Sequence, residues 1–275
     1  MHLIPPDALA LHRRAIICDG HCDTILRLLT QNQPLGQRAT GGHVDLPRLQ
    51  EGGVTAQLFA LFVEDAFLPG EAIRRTLQML DRLYQELAAN AEHIFLATSA
   101  AEIRRAKSEG KIAALLGIEG GEALEGDIAV LRIYHRLGVR LLTLTWSRRN
   151  ALGDGVRESR TGGGLTNLGV QAVQEMNRLG MLVDVAHLSP AGVRDVLGVS
   201  QDPIIASHAN ARAVCDHPRN LSDEQIRAIA AKGGVIGVTL VPDFIAPRGQ
   251  AGLSRLVDHV CHLIRVGGED VVALG

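Results

Sequence analysis

The 275-residue sequence is 46% hydrophobic and 21% charged with a formal net charge of −2, a balance typical of globular chains with ample material for a core. It gives no electrostatic basis for binding nucleic acid or an anionic membrane, and 3% aromatic residues supply no base-stacking platform. Cys18, Cys22, Cys215 and Cys261 fit neither a disulfide framework nor a paired-cysteine zinc module, Pro5 and Pro6 stand where a signal peptide needs an apolar core, and no apolar run reaches membrane-spanning length. The expectation is a soluble, cytoplasmic protein with reduced thiols and no membrane or nucleic-acid partner.

Taken in chain order, short apolar runs alternate with amphipathic segments. The runs cover 15–21, 54–63, 112–120, 141–146, 180–187, 203–208, 234–240 and 270–275. Each is almost continuously apolar, the signature of a strand covered on both faces. Between them the periodicity predicts helices over 69–91, 127–138, 166–180, 189–198 and 222–234, with a short one over 46–53 after a polar loop. Thr166, Ser189 and Ser222 occupy N-cap positions, Ser222 and Gln225 fit a capping box, and Gly138, Gly180 and Gly233 follow helix ends.

Eight strands alternating with helices predict an α/β fold, a (β/α)8 TIM-type barrel, for which about 250 residues is the usual size. No GxGxxG follows the first run, which disfavours an open dinucleotide-binding sheet. The expected organisation is a single barrel domain over 1–275. Because the eighth run reaches Gly275, the barrel reads as truncated there, without its strand-eight loop and closing helix.

A parallel barrel opens the C-terminal ends of all its strands on one rim, where the chemistry resides. The polar residues ending the apolar runs are therefore expected to be neighbours: His21 and Asp23 on the first, Glu119 on the third, His187 on the fifth and His208 on the sixth. His21 and Asp23 are two apart, so strand alternation puts both on one face and turns Cys22 away. Any one histidine at a strand end is more often an ordinary hydrogen-bonded residue; the joint placement carries the reading. Three imidazoles and two carboxylates suit Zn²⁺ or a similar borderline metal, and five donors exceed what one tetrahedral catalytic zinc takes. Two ions sharing Glu119 fit better, with His21 and Asp23 on one and His187 and His208 on the other. Asp19 and Asp184, each a few residues before such donors, read either as supports for them or as structural residues. The remaining histidines read as surface or packing residues, and Arg212 as a surface arginine.

The segments DGHCDT, GHVDLPRL, GIEGGEAL, LTLTW, VDVAHLS and SHANARAVCDHPRNLSDEQI resemble the renal (membrane) dipeptidase family of zinc peptidases, in order from about residue 14 to the end. H-x-D alone is shared with the wider amidohydrolase-like superfamily. The resemblance implies a (β/α)8 barrel and a dinuclear zinc site, two Zn²⁺ bridged by the catalytic Glu119. It also implies a dipeptide substrate, hydrolysed at its amide bond by a metal-bridging hydroxide, with a C-terminal D-residue accepted. By motif, Arg219 in HPRN matches the arginine that holds the substrate's C-terminal carboxylate.

Two departures bear on activity. Trp146 stands after LTLT, where mammalian members of the family carry a substrate-contacting histidine, so it takes the substrate-binding place. The family's SDFDG segment, whose aspartate contacts substrate, would follow Gly275. Other amidohydrolase chemistry on the same metals, a lactonase or an N-acyl amino acid deacylase, and a metal-binding barrel without turnover are the competing readings. The sequence leaves a homodimer open.

Overall fold

A computed structural model describes residues 4–31 and 33–275. Among the described residues nine parallel strands follow in chain order: β1 (Cys18–Asp19), β2 (Ala56–Phe62), β3 (Ile94–Leu96), β4 (Ile112–Glu119), β5 (Val139–Thr143), β6 (Leu182–Asp184), β7 (Ile204–Ala206), β8 (Val235–Val238) and β9 (Val272–Leu274). β2 pairs with both β1 and β4, the order then runs through β5 to β9, and Asp19 against Leu274 closes the ring on β1. This is a closed parallel barrel of the (β/α)8 type.

All eight apolar runs are barrel strands. Their continuous apolarity has the expected cause: every residue of β2 except Phe62 is buried, as is every residue of β4 except Leu115. The ninth strand, β3, has no counterpart among the runs. It lies outside the ring and pairs only with the start of β4, Ile94 against Ile112, before β5 takes over that edge from Leu116 onward.

The predicted helices appear at Leu46–Glu51, Ala72–Ala89, Ile128–Arg136, Asn167–Leu179, Pro190–Val199 and Asp223–Ala231. Thr166, Ser189 and Ser222 accept from the backbone N–H three residues on, and Ser222 with Gln225 forms the full capping box. Gly138, Gly180 and Gly233 have φ of 87°, 69° and 70°, the left-handed geometry that ends a helix. Further helices lie at Pro6–Arg14, Thr24–Gln31, Ala100–Glu109 and Leu253–Gly267. No helix among the described residues is long and apolar enough to cross a membrane.

One expectation about the rim is corrected. β1 ends at Asp19, so His21 and Asp23 lie in the turn before helix Thr24–Gln31. Gly20 enters this turn by donating its N–H to Leu274 O at 2.8 Å, and a Cβ on it would stand 2.8 Å from Ser207 O. The His21 N–H then bonds Asp19 Oδ1 at 3.0 Å, which fixes the turn. Cys22 does face away: it is buried in the hydrophobic core, where desolvation pushes its thiol up to about 12.

Candidate metal centre

Four side chains meet at the open end of the barrel. Glu119 is the last residue of β4, His187 lies three residues past β6, His208 two past β7, and His21 two past β1. Glu119, His187 and His208 are buried. Glu119 Oε1 is 2.9 Å from His187 Nε2 and 3.7 Å from His208 Nε2, while its other oxygen, Oε2, is 3.7 Å from His21 Nε2. The two carboxylate oxygens thus face different imidazoles. His187 Nε2 and His208 Nε2 are 2.9 Å apart, and the His21 and His208 rings lie 3.9 Å apart. Donor atoms of His21, Glu119 and His208 fall within 4.8 Å of one another.

Asp23 stands at the margin. Its Oδ1 is 3.5 Å from His21 Nε2, but its side chain is 58% exposed, so the turn brings it beside the cluster without enclosing it.

The ring orientations are set from behind. Asp184 ends β6 fully buried, and its carboxylate accepts from Thr143 Oγ1 (2.5 Å), Ser207 Oγ (2.6 Å), Ser207 N (2.9 Å) and Ala186 N (3.0 Å). Ser207 Oγ also lies 2.8 Å from His208 Nδ1, and Ser147 Oγ lies 2.8 Å from His187 Nδ1. Because Ser207 Oγ gives its hydrogen to Asp184, it accepts from His208 Nδ1–H and leaves the His208 Nε2 lone pair toward Glu119, while Ser147 Oγ anchors the His187 ring through Nδ1. Of these supports only Asp184 was marked by the sequence; Ser147 and Ser207 are single hydroxyls with no spacing signal beyond adjacency to Trp146 and His208.

Electrostatics follow from burial and crowding. Burial, then the nearby Arg219 charge, holds His187 well below 6.5, and burial with His21 and Arg219 does the same to His208. Burial also disfavours charge on His21, but Glu119 and the bonded Asp23 outweigh it and lift the imidazole to about 9. Glu119 is pushed by burial up to about 7, against the pull of His21. For Asp23 burial acts upward and the His21 contact wins, so its carboxyl titrates below the usual range. Two neutral imidazoles and a carboxylate with divided oxygens form a nitrogen and oxygen donor set that fits a borderline divalent ion.

Arg219 is buried beside this cluster, with Nη2 on His208 O at 3.0 Å and Nε buried without a hydrogen-bond partner among the described residues. Burial lowers its pKa to about 10, so the guanidinium keeps its charge near neutral pH. His217 accepts from Arg219 N at 3.2 Å through Nδ1 and packs on Phe244, so it shapes the arginine's turn. Trp146, half-buried at the rim, has its ring 5.8 Å from His187 and 5.5 Å from Phe62. His259 is a packing residue, accepting from Ala211 N and donating to Ile245 O. Arg212 sits in the same loop as Arg219 and bonds Pro218 O at 3.1 Å.

The family model described as membrane dipeptidase, peptidase family M19, matches residues 6–275. The chain is 36% identical over 278 residues to dipeptidase 3 of Mus musculus, covering 98% of this chain and 56% of that protein. It therefore spans little more than half the length of the curated relatives it matches. A solved metallopeptidase from Rhodobacter sphaeroides, liganded with a phosphinate mimic of the dipeptide L-Ala-D-Ala, superposes with a TM-score of 0.88 at 31% identity, over 94% of this chain and 85% of that one. The solved dipeptidase AC, a family M19 metallopeptidase, gives 0.86 at 34% identity, over 94% and 83%. The chain belongs to the membrane dipeptidase family of metallopeptidases, peptidase family M19.

Proposed function

We propose that this chain is a dinuclear zinc dipeptidase that hydrolyses the amide bond of dipeptides. The observation that carries the reading is the division of Glu119: one oxygen faces His187 and His208, the other faces His21. His21 and Asp23 with Glu119 would hold one ion, and Glu119 with His187 and His208 the other. Bound there, zinc would supply Lewis-acid polarisation of the scissile carbonyl and a water acidified toward neutral pH.

The protein's own groups account for substrate choice and geometry. The unpartnered Nε of Arg219, on a buried guanidinium, is suited to a carboxylate. Holding a C-terminal carboxylate there would restrict substrates to short peptides. Trp146 and Phe62 form an apolar wall beside His187 against which a substrate side chain packs. The hydroxyls of Ser147 and Ser207 keep the two imidazoles in one orientation, so no ring has to turn during the reaction. Acceptance of a C-terminal D-residue is supported by the dipeptide mimic held by the Rhodobacter relative. A reducing compartment, the cytoplasm, is supported by four cysteines that stand unbonded.

The test is a panel of dipeptides with L- and D-residues at the C-terminal position, run beside lactones and N-acyl amino acids, with zinc and after chelation. Dipeptide hydrolysis that chelation abolishes is the expected result. Turnover confined to lactones or N-acyl amino acids, dipeptide hydrolysis indifferent to chelation, or bound zinc with no hydrolysis at all would overturn it.

A further inference from the structure

His187 has a φ of 68° and is buried, a left-handed conformation that residues with a Cβ disfavour. Such a backbone persists where its surroundings over-determine it. Here one segment, residues 147–164, which follows β5 and folds back over the turn after β6, holds both the backbone carbonyl and the ring Nδ1 of His187. Val156 N donates to His187 O at 2.7 Å, and Gly155 forms an antiparallel bridge with Leu188. Ser189 N donates to Asp154 O at 2.9 Å, and Ser189 Oγ to Gly163 O at 2.8 Å. The same segment holds the ring, through Ser147 Oγ on Nδ1 at 2.8 Å. Both the carbonyl and the imidazole of His187 are therefore fixed from one side.

The segment closes on itself through Asp154. Its carboxylate, 4% exposed, accepts from Arg149 and from Thr161 Oγ1 at 2.6 Å, while Asp154 N donates to Gly164 O at 3.1 Å. The closure is tight: a Cβ on Gly155 would fall 2.2 Å from Trp146 O and 2.5 Å from Arg148 O. His21 and His208 have no comparable hold from this segment. His21 is set by its own turn, and His208 by Ser207 and Asp184.

We propose that residues 147–164 are a positioning element for His187, with Asp154 and Ser147 as its positioning residues, and that it sets the affinity of one of the two metal positions independently of the other. The proposal rests on the reading of His187 as a ligand. Loosening the segment frees His187 to leave its left-handed geometry and carries Nε2 away from Glu119, while the donors on His21 and Asp23 stay in place.

The experiment titrates metal-free wild type, Asp154→Ala, Ser147→Ala and His187→Ala with Co²⁺, reading the visible spectrum, and with Zn²⁺ against a chromophoric chelator. Wild type is expected to take up two ions. In Asp154→Ala and Ser147→Ala one ion keeps its wild-type affinity and the other weakens by about 10-fold or more, the usual effect of losing a group that orients a ligand. The metal-free variants are melted alongside, and if Asp154→Ala does not fold, Ser147→Ala, which removes one oxygen, decides alone. Two ions bound with wild-type affinities in Ser147→Ala, or both weakened equally, would overturn the proposal. His187→Ala binding both ions like wild type would instead remove the ligand reading beneath it, so the two failures are distinguishable.

Discussion

Ser207 Oγ stands 2.8 Å from His208 Nδ1, and because its one hydrogen goes to Asp184 Oδ2 at 2.6 Å, it accepts from the ring. The pair fixes His208 as its Nδ1–H tautomer with the Nε2 lone pair toward Glu119. Ser207→Ala removes that acceptor and one of the donors to a buried carboxylate. The expected result is about 10- to 100-fold weaker zinc binding by chelator competition, and a metal-free protein about 1–3 kcal/mol less stable in urea. Unchanged zinc affinity would show that the serine does not orient the ring.

The backbone carbonyl of Ser207 is crowded by glycine. A Cβ on Gly237 would stand 2.0 Å from Ser207 O, and the neighbour is backbone that cannot swing aside. Gly237→Ala must therefore displace β7 near His208. A loss of about 1–3 kcal/mol in urea denaturation is expected, with zinc affinity falling in the same variant. A stable variant with unaltered zinc binding would refute the steric argument.

Legibility differed between strands, rim and supports for physical reasons. Barrel strands are covered on both faces, so Ala56–Phe62 and Ile112–Glu119 stand out as apolar runs, whereas Ile94–Leu96 is three residues long, outside the ring, and left no such mark. His21, Glu119, His187 and His208 were legible because each follows an apolar run onto the same rim. Asp23 was placed by strand alternation, but β1 stops at Asp19 and a turn leaves the carboxylate half in solvent. Helix Leu253–Gly267 turns His259 inward beside Leu263. Ser147 reaches His187 across 40 residues, a contact no local pattern encodes.

Asp45 links acidity to stability. Nearly inaccessible, it caps helix Leu46–Glu51, accepting from Arg48 N and Ala39 N at 2.9 Å each and pairing with the Arg48 guanidinium. Burial alone would raise its pKa, but the two N–H groups and the Arg48 charge prevail and hold it below the ordinary value of 3.8. A folded-state pKa below the unfolded one means that the stabilisation is complete above about pH 4. It is lost as pH falls through the depressed value. Asp45→Asn keeps a capping oxygen but not the charge, so it should cost about 1–2 kcal/mol at pH 7. That difference should shrink toward zero as both proteins are titrated into acid. A gap in urea stability that stays constant from neutral pH into acid would contradict this origin.

Metal removal tests the donor set through folding, without any substrate. The imidazole nitrogens around Glu119 are assembled only in the folded chain, from residues as far apart as His21 and His208. An ion that binds there stabilises the fold by mass action, about 2.7 kcal/mol at a free concentration 100 times the dissociation constant. Zinc added to chelator-treated protein should therefore raise Tm by roughly 5 °C or more. Magnesium, which prefers oxygen ligands, should leave it nearly unchanged at the same concentration. In His187→Ala the zinc-induced rise should be smaller, because the nitrogen nearest Glu119 is gone. Equal stabilisation by magnesium and zinc, or a full zinc response in His187→Ala, would mean that the ion binds away from this cluster.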